Sequence, residues 1–429
     1  MHVLLLLLLV ASLSGVDAAV TLPKPSANAG RTGSYQADTS NPANKYWVCV
    51  PKSYDGKRGA GLHVFFHGQG GSGSAPNFAQ WQQALLEPFC LIGVNMQYTD
   101  NDNTIATAGK ADSALEAALQ VMADYKVVPG RGMTACFSGG GMPCGNWYSR
   151  QGRNRGLAWP FTALALYGAN FWDPIVAGPP CGWFIGIGTQ EWNMGIPTLG
   201  TSQSQRMGEA LRLVKAFGPD QRFQVVAGLG HSIGDTELAE AAALFRRVDL
   251  AYAPFLYAPD FSEKALAAAV AQANAGLLGS AAAALGRIKD TALAEKIAAL
   301  IAAIDARAAE QVTLVASLAG SDLLLANSYG GIFARGLKGH AREAELAPVL
   351  KELAKERGRT AAAAAAFAAF VNAFPRMLPS GTEARLAASA VPVLEHALKA
   401  AGEDSRLGAM AKELLALPRE ESSGPGKAP

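Results

Sequence analysis

The stretch Thr134-Ala135-Cys136-Phe137-Ser138-Gly139-Gly140-Gly141 decides how the first half of this chain folds. It begins in an apolar run that predicts a strand, and its three glycines precede a stretch compatible with a helix. The pattern small-x-Ser-x-Gly is typical of a strand–turn–helix elbow, in which small neighbours let the serine backbone adopt a strained conformation. Such a turn directs the hydroxyl of Ser138 outward and makes it a candidate nucleophile. The alternative is a glycine-rich turn without chemistry.

Composition and charge restrict the class of protein. The chain has 429 residues, half of them hydrophobic, which is enough for one large domain or two ordinary ones. The net charge is +2, and no lysine- or arginine-rich run occurs. We therefore expect no nucleic-acid partner.

The N-terminus predicts export. Residues 1–18 have the form of a signal peptide, with a leucine-rich apolar run over 3–10 and small residues that suit cleavage after Ala18, although no lysine or arginine precedes the run. The run is too short for a membrane-spanning helix, which needs about 20 apolar residues. Later alanine-rich stretches are interrupted by charges. The expected protein is secreted or periplasmic, without an integral membrane span.

Up to about residue 255, short apolar runs alternate with helical patterns. The runs that predict strands are Val48–Val50, Leu62–Phe66, Leu91–Met96, Met133–Phe137, Phe161–Leu166, Trp183–Ile187 and Phe223–Val226. The intervening helical patterns cover 111–125, 203–217 and 236–248. This alternation predicts an α/β domain with a mostly parallel sheet covered by helices on both faces.

Composition divides the chain further. We expect a flexible arm over 19–41, a catalytic α/β domain over 42–255, an alanine-rich helical domain over 260–417 and a disordered tail over 418–429. The helical domain is predicted from its alanine content and from leucine and isoleucine stripes at spacings of three and four. It has no clean repeat period, and its partner is unknown.

A serine nucleophile needs donors that stabilise the oxyanion of the transition state. The predicted strand Leu62–Phe66 runs into His67-Gly68-Gln69-Gly70-Gly71, a turn whose glycines expose backbone N–H groups. The predicted donors are the N–H groups of Gln69 and Gly139. No carboxylate or cysteine joins His63 and His67 at metal-ligand spacing, so no metal site is expected.

The acid and the base are expected after the serine in the chain, and the acid is expected before the histidine. His231 follows the last predicted strand of the α/β part and is the candidate base. Glu191 follows the preceding strand and is the candidate acid, with Asp173 as the alternative. Asn193 could orient the histidine without a charge. Glutamate is longer than aspartate, so its loop must be placed differently.

Five cysteines lie in the first half of the chain: Cys49, Cys90, Cys136, Cys144 and Cys181. In an oxidising compartment up to two disulfides could form. Cys49 with Cys90 and Cys144 with Cys181 are possible pairs, and five buried free thiols are the alternative.

Several of these motifs together resemble a known family. Tyr46-Trp47-Val48-Cys49-Val50-Pro51, the His67 turn, Val128-Pro129-Gly130-Arg131-Gly132-Met133 before the elbow, and Gly188-Thr189-Gln190-Glu191 are similar to secreted polyhydroxybutyrate depolymerase-like and feruloyl-esterase-like hydrolases. The resemblance covers roughly 45–250. It implies an α/β-hydrolase fold, a Ser138–His231–Glu191 triad, no cofactor and carboxylic-ester substrates. The chain departs from the family at Cys136, where glycine is usual, at Glu191, where aspartate is usual, and in its C-terminal all-helical appendage.

The expected function is hydrolysis of a small or polymeric carboxylic ester through an acyl-enzyme at Ser138. The same triad could instead cleave peptides or transfer acyl groups. A third hypothesis is a catalytically weak hydrolase-fold scaffold whose helical domain binds a cell-envelope partner. The sequence does not identify the acyl or alcohol group, or the oligomeric state.

Overall fold

A computed structural model of the protein describes residues 22–68, 78–98, 107–154, 162–169, 182–191, 220–377 and 385–419. Its centre is an eight-stranded sheet with the strand order β1-β2-β4-β3-β5-β6-β7-β8. The strands are β1 (Gly33–Asp38), β2 (Asn44–Val50), β3 (Ala60–Phe66), β4 (Leu91–Tyr98), β5 (Val127–Phe137), β6 (Ala163–Tyr167), β7 (Gly182–Gly188) and β8 (Gln221–Val226). Strands β3 to β8 are parallel, and β2 is antiparallel to both of its neighbours.

The predicted mostly parallel sheet is confirmed, and all seven predicted strands are present. Every residue of β3, β6 and β7 is buried, because these strands lie between helical layers on both faces. Their continuous apolar runs are therefore the signal of central parallel strands.

The flexible arm predicted over 19–41 is wrong for its second half. Gly33–Asp38 forms β1, an edge strand paired along its whole length with β2. Its anchor is Tyr35, which is buried and whose hydroxyl lies 2.8 Å from that of Tyr125. One buried side chain in a polar strand gives too weak an alternation to be recognised in the sequence.

Helices cover the two faces of the sheet. One face carries α1 (Thr107–Asp124) and α2 (Gly141–Asn154), and the other carries α3 (Asp235–Tyr252) and a helical stretch over 78–89. Alternate residues of one strand serve the two layers, since Val64 packs towards α1 and Phe65 towards the 78–89 stretch.

Eight further α-helices follow in the part of the chain that the structure describes. They are α4 (Lys264–Asn274), α5 (Leu278–Gly286), α6 (Ala294–Ser321), α7 (Leu323–Gly336), α8 (Glu343–Lys355), α9 (Arg357–Met377), α10 (Val391–Ala401) and α11 (Arg406–Leu415). The predicted helical character of the C-terminal region is confirmed. Helices α4 to α8 enclose their own core, which contains Leu300, Ile304 and Tyr329.

The last three helices of the C-terminal all-helical appendage pack on the α/β part, an arrangement that the sequence left open. Helices α9 to α11 belong to the core of the sheet, where Phe374 meets Phe223 of β8 with ring centroids 4.5 Å apart. Alanine occurs in helices of both groups, so composition alone does not separate the two groups.

Helix α11 also covers the outer edge of the sheet. Among the described strands, β8 pairs with β7 alone, so its other edge needs partners. The backbone N–H of Phe223 donates to the sulfur of Met410 at 3.3 Å, and that of Val225 donates to Glu413 at 3.2 Å. Two side chains of α11 therefore accept backbone hydrogen bonds that a ninth strand would otherwise accept.

Some predicted segments lie outside the described residues. These are the signal peptide over 1–18, the helix over 203–217 and residues 420–429 of the tail. The start of the tail is ordered, because the carbonyl of Pro418 accepts a hydrogen bond from Leu386 at 2.8 Å. Among the described residues, no helix combines the length and the apolar character needed to cross a membrane.

A buried ion-pair cluster around Asp220 joins the sheet to both helical groups. Asp220 stands before β8 and accepts hydrogen bonds from Arg247 of α3 at 2.7 and 3.0 Å and from the Tyr329 hydroxyl of α7 at 2.8 Å. Arg406 of α11 lies 3.5 Å away. Burial alone would raise the pKa of Asp220, but the two arginines and the hydroxyl outweigh it and hold that pKa below its ordinary value.

We expect Asp220→Asn to lower the free energy of unfolding at pH 7 by about 3 kcal/mol or more, because the buried guanidinium of Arg247 loses its carboxylate. Since the folded-state pKa is lowered, this stabilisation is present above about pH 4 and is lost as the pH falls further. Urea denaturation between pH 7 and pH 3 measures both effects. The exposed Asp112→Asn variant is the control. A constant difference between Asp220→Asn and wild type across this range would contradict the assignment.

Candidate active site

Ser138 lies in a strained turn at the carboxyl end of β5. The strand ends at Phe137, a 3₁₀ turn covers Ser138–Gly140, and α2 begins at Gly141. The φ angle of Ser138 is +52°, a left-handed conformation that serine rarely adopts. Among the described residues, Cys90 is the only other non-glycine residue with a positive φ. The turn therefore has the geometry predicted for a nucleophile elbow.

Two glycines allow this turn to pack against the end of β3. A Cβ at Gly140 would lie 2.3 Å from the carbonyl oxygen of Phe66 and 2.5 Å from that of His67. A Cβ at Gly68 would lie 3.0 Å from the Cβ of Ser138. The start of the predicted oxyanion turn is thus in contact with the serine.

The structure describes one of the two predicted oxyanion donors. Gly139 follows Ser138 in the 3₁₀ turn and is half-buried. Gln69 lies outside the described residues, so its role stays a prediction. His67 is buried, and its ring nitrogen Nδ1 donates to the carbonyl of Gly68 at 2.7 Å, which stabilises the turn.

The cysteine that replaces the usual glycine faces away from the serine. Cys136 is fully buried on the α1–α2 face of the sheet, where its thiol is hydrogen-bonded to that of Cys144 in α2. Burial, with this hydrogen bond, raises the pKa of the Cys144 thiol well above its ordinary value. The Cys144 thiol is therefore held in the unreactive protonated form.

The possible Cys49–Cys90 disulfide is absent, since both residues are free thiols. Cys49 packs on the α3 face of the sheet, whereas Cys90 packs against the opposite core. Cys144 is also free, and its possible partner Cys181 lies outside the described residues.

His231 lies in the loop between β8 and α3. The loop is held by the turn after β7, because the N–H of Gln190 donates to the Leu229 carbonyl at 3.0 Å and the N–H of Gly228 donates to the Thr189 hydroxyl at 2.9 Å. The imidazole ring packs against Phe137, with ring centroids 4.6 Å apart. This contact brings His231 next to the residue before Ser138, while 23% of its side chain stays exposed.

Glu191 lies in the 3₁₀ turn that follows β7 and is only 1% exposed. Its Oε1 accepts a hydrogen bond from the N–H of Gly188 at 2.7 Å, and its Oε2 is hydrogen-bonded to Nδ1 of His231. A carboxylate that accepts from Nδ1–H leaves Nε2 as the basic nitrogen of the neutral ring. The alternatives Asp173 and Asn193 lie outside the described residues.

Gly168, directly after β6, makes room for the longer glutamate. Its φ is +50°, and a Cβ there would lie 2.6 Å from Oε2 of Glu191. Aspartate would not extend this far. Sequence reasoning missed Gly168, because its partner is 23 positions away and no local pattern marks the contact.

Sequence reasoning also missed Glu237, a fully buried carboxyl in the first turn of α3. Its position at a helix start is ordinary for a capping acid, which is why the sequence does not distinguish it.

Among the described residues, no group of three histidine, cysteine, aspartate or glutamate side chains is arranged to hold a metal ion.

No protein-family model matches this sequence, and no curated protein matches it. Among solved structures, the chain is similar to an esterase named PE8, with 18% identity and a TM-score of 0.35 over 47% of this chain and 97% of that one. It is also similar to an acetyl xylan esterase from Aspergillus awamori, with 14% identity and a TM-score of 0.37 over 49% of this chain and 99% of the other. For esterase 2 of Thermogutta terrifontis the identity is 13% and the TM-score 0.39, over 52% and 94% of the two chains.

These similarities are too distant to carry an argument, so the fold is assigned from the chain's own topology. The elbow serine follows β5, the carboxylate follows β7 and the histidine follows β8, in a sheet whose second strand is antiparallel. This is the arrangement of the α/β-hydrolase fold, and the chain has that fold.

The fit between Gly168 and Glu191 can be measured by a double-mutant cycle. We expect Gly168→Ala to lower the free energy of unfolding by about 2 kcal/mol, through backbone strain and the collision with the carboxylate. In a Glu191→Asp background the cost should fall by about 1 kcal/mol, because the shorter side chain withdraws from the new methyl group.

Gly276→Ala is the matched control, since Gly276 also has a positive φ but no atom within 4 Å of an added Cβ. Its cost should be the same in both backgrounds. Equal costs of Gly168→Ala in the two backgrounds would contradict the contact with Glu191.

Proposed function

We propose that this protein is a serine esterase that hydrolyses carboxylic esters through an acyl-enzyme on Ser138. The observation that carries the proposal is the strained serine at the end of β5, together with a histidine that packs against the preceding residue, Phe137, and whose Nδ1 is bonded to a buried carboxylate. A serine with such a base and orienting acid is the arrangement that activates a hydroxyl for attack on a carbonyl.

In the first step, Nε2 of His231 takes the proton of the Ser138 hydroxyl as the oxygen attacks the ester carbonyl. Glu191 stabilises the imidazolium that forms, because the buried carboxylate accepts the Nδ1–H bond. The oxyanion is held by the N–H of Gly139, with the N–H of Gln69 as the second proposed donor.

In the second step, the tetrahedral intermediate collapses and the alcohol leaves with the proton from His231. Water then attacks the acyl-enzyme while His231 accepts its proton, and a second collapse releases the acid and restores Ser138. The partly exposed side chain of His231 lets water reach the base. No step needs a metal or a cofactor.

Ser138→Ala should lower the turnover of a p-nitrophenyl short-chain ester by about 10³-fold or more, because the nucleophile is removed. Ser280→Ala on the exposed surface of α5 is the matched control and should keep wild-type turnover. Equal turnover by wild type and Ser138→Ala would reject the proposal.

Labelling with a fluorophosphonate separates the alternatives. Wild type should be labelled at Ser138, and Ser138→Ala should not. Labelling together with hydrolysis of peptides but not esters would favour a peptidase, and labelling with transfer to added acceptors would favour an acyltransferase. No labelling and no turnover would favour a scaffold.

A further inference from the structure

Glu237 is an ionisable side chain that is enclosed between α3 and the sheet. It lies in the first turn of α3 and is 0% exposed. A Cβ at Gly186 in β7 would lie 1.9 Å from its Oε1, so only glycine at that position admits the carboxyl group. A glutamate in the first turn of a surface helix needs no such space, because it can point into solvent.

One oxygen of Glu237 holds the loop of His231. Its Oε2 accepts the N–H of Gly234 at 2.9 Å, and Gly234 stands three residues after His231. The turn after β7 holds the other end of the same loop through Gln190 and Leu229. Glu237 therefore fixes the side of the loop that continues into α3.

The other oxygen lies against Gly186 of β7. Oε1 accepts no hydrogen bond from the described residues, and the same is true of the buried hydroxyl of Tyr167 at the end of β6. The charge of Glu237 acts on Tyr167, and the charge of Glu191 acts on Glu237. Gly186, which contacts Glu237, accepts the N–H of Gly168 at 2.9 Å, and Gly168 contacts the carboxylate of Glu191. The two carboxyl groups therefore lie against hydrogen-bonded neighbours in the sheet.

Burial raises the pKa of Glu237 to about 7, with a further contribution from the negative charge of Glu191. The group therefore changes charge close to neutral pH. The titratable groups that face it from neighbouring elements are Glu191 after β7 and Tyr167 of β6, while His231 is reached through Glu191.

We propose that Glu237 is a positioning residue for the Glu191–His231 pair: it anchors the His231 loop through Gly234, and its ionisation adds a second buried negative charge that favours the protonated form of His231. The catalytic consequence rests on the proposed function, because it concerns the same histidine as base. The electrostatic effect on His231 does not depend on turnover.

The sign of the effect follows from the charges. When Glu237 is neutral, one negative charge accompanies His231, and the imidazole gives up its proton at a lower pH. When Glu237 is ionised, two negative charges stabilise the imidazolium, so the protonated form of His231 is favoured relative to the state with a neutral Glu237. Removing the ionisable group should therefore extend the active form of the histidine to lower pH.

The decisive variant is Glu237→Gln, whose amide oxygen can still accept the N–H of Gly234 but which cannot ionise. The pKa of His231 is measured by NMR titration in wild type and variant, with the resonance assigned from His231→Asn. We expect it to be lower in Glu237→Gln by about 0.5 unit or more. Glu240→Gln, one turn later on α3 and partly exposed, should leave it unchanged. An unchanged or higher pKa of His231 in a folded Glu237→Gln variant would overturn the proposal.

Wild type alone provides a second test if the variant does not fold. With ¹³C-labelled glutamate, one side-chain carboxyl should titrate between about pH 6 and 8, and the His231 resonance should respond to that titration. A His231 curve with a single step and no carboxyl titrating in this range would overturn the proposal. The acidic limb of kcat/KM should move to lower pH in Glu237→Gln. If no ester is hydrolysed while the NMR shifts occur, the proposed function fails and the role of Glu237 stands.

Discussion

Close approach of backbone and side chains at the carboxyl end of the parallel sheet is the constraint on which the site depends. A Cβ at Gly140 would strike the end of β3, and one at Gly188 would lie 2.2 Å from the carbonyl oxygen of Leu229 in the histidine loop. Gly168 and Gly186 leave room for two glutamate side chains in the same way. Without these glycines, the turns that carry the serine, the acid and the histidine could not meet at one edge of the sheet.

Part of this arrangement could be predicted from the sequence because its signals are local. The elbow requires a small residue before Ser138 and glycines after it, within eight consecutive positions. The central strands are recognisable because both of their faces are buried. His231 and Glu191 were predicted from their places after successive strands, and the structure brings these two side chains into a hydrogen bond.

Other features could not be predicted because they depend on contacts between distant positions. Gly168 and Glu237 have no distinctive neighbours in sequence, and their significance lies in the side chains and strands that they meet. The edge strand β1 depends mainly on one buried tyrosine. The roles predicted for Gln69 and Asp173 stay predictions, since both residues lie outside the described part of the chain.

The C-terminal helices continue the α/β part of the molecule. A parallel sheet needs cover on both faces, and α9 to α11 supply it beside β8. Arg222 of β8 is bonded to Glu413 of α11, so the last strand and the last helix are joined by charge as well as by apolar contact. Truncation before α9 would expose both a face and an edge of the sheet.

The most direct test of the account is the kinetic effect of Glu191→Gln. The amide can still accept the Gly188 N–H, but it cannot stabilise the imidazolium of His231. The account predicts a fall in kcat of about 10²- to 10⁴-fold with little change in KM, while Glu191→Asp keeps more activity than Glu191→Gln. Wild-type kcat in a folded Glu191→Gln variant would contradict the assignment of Glu191 as the acid that orients the base.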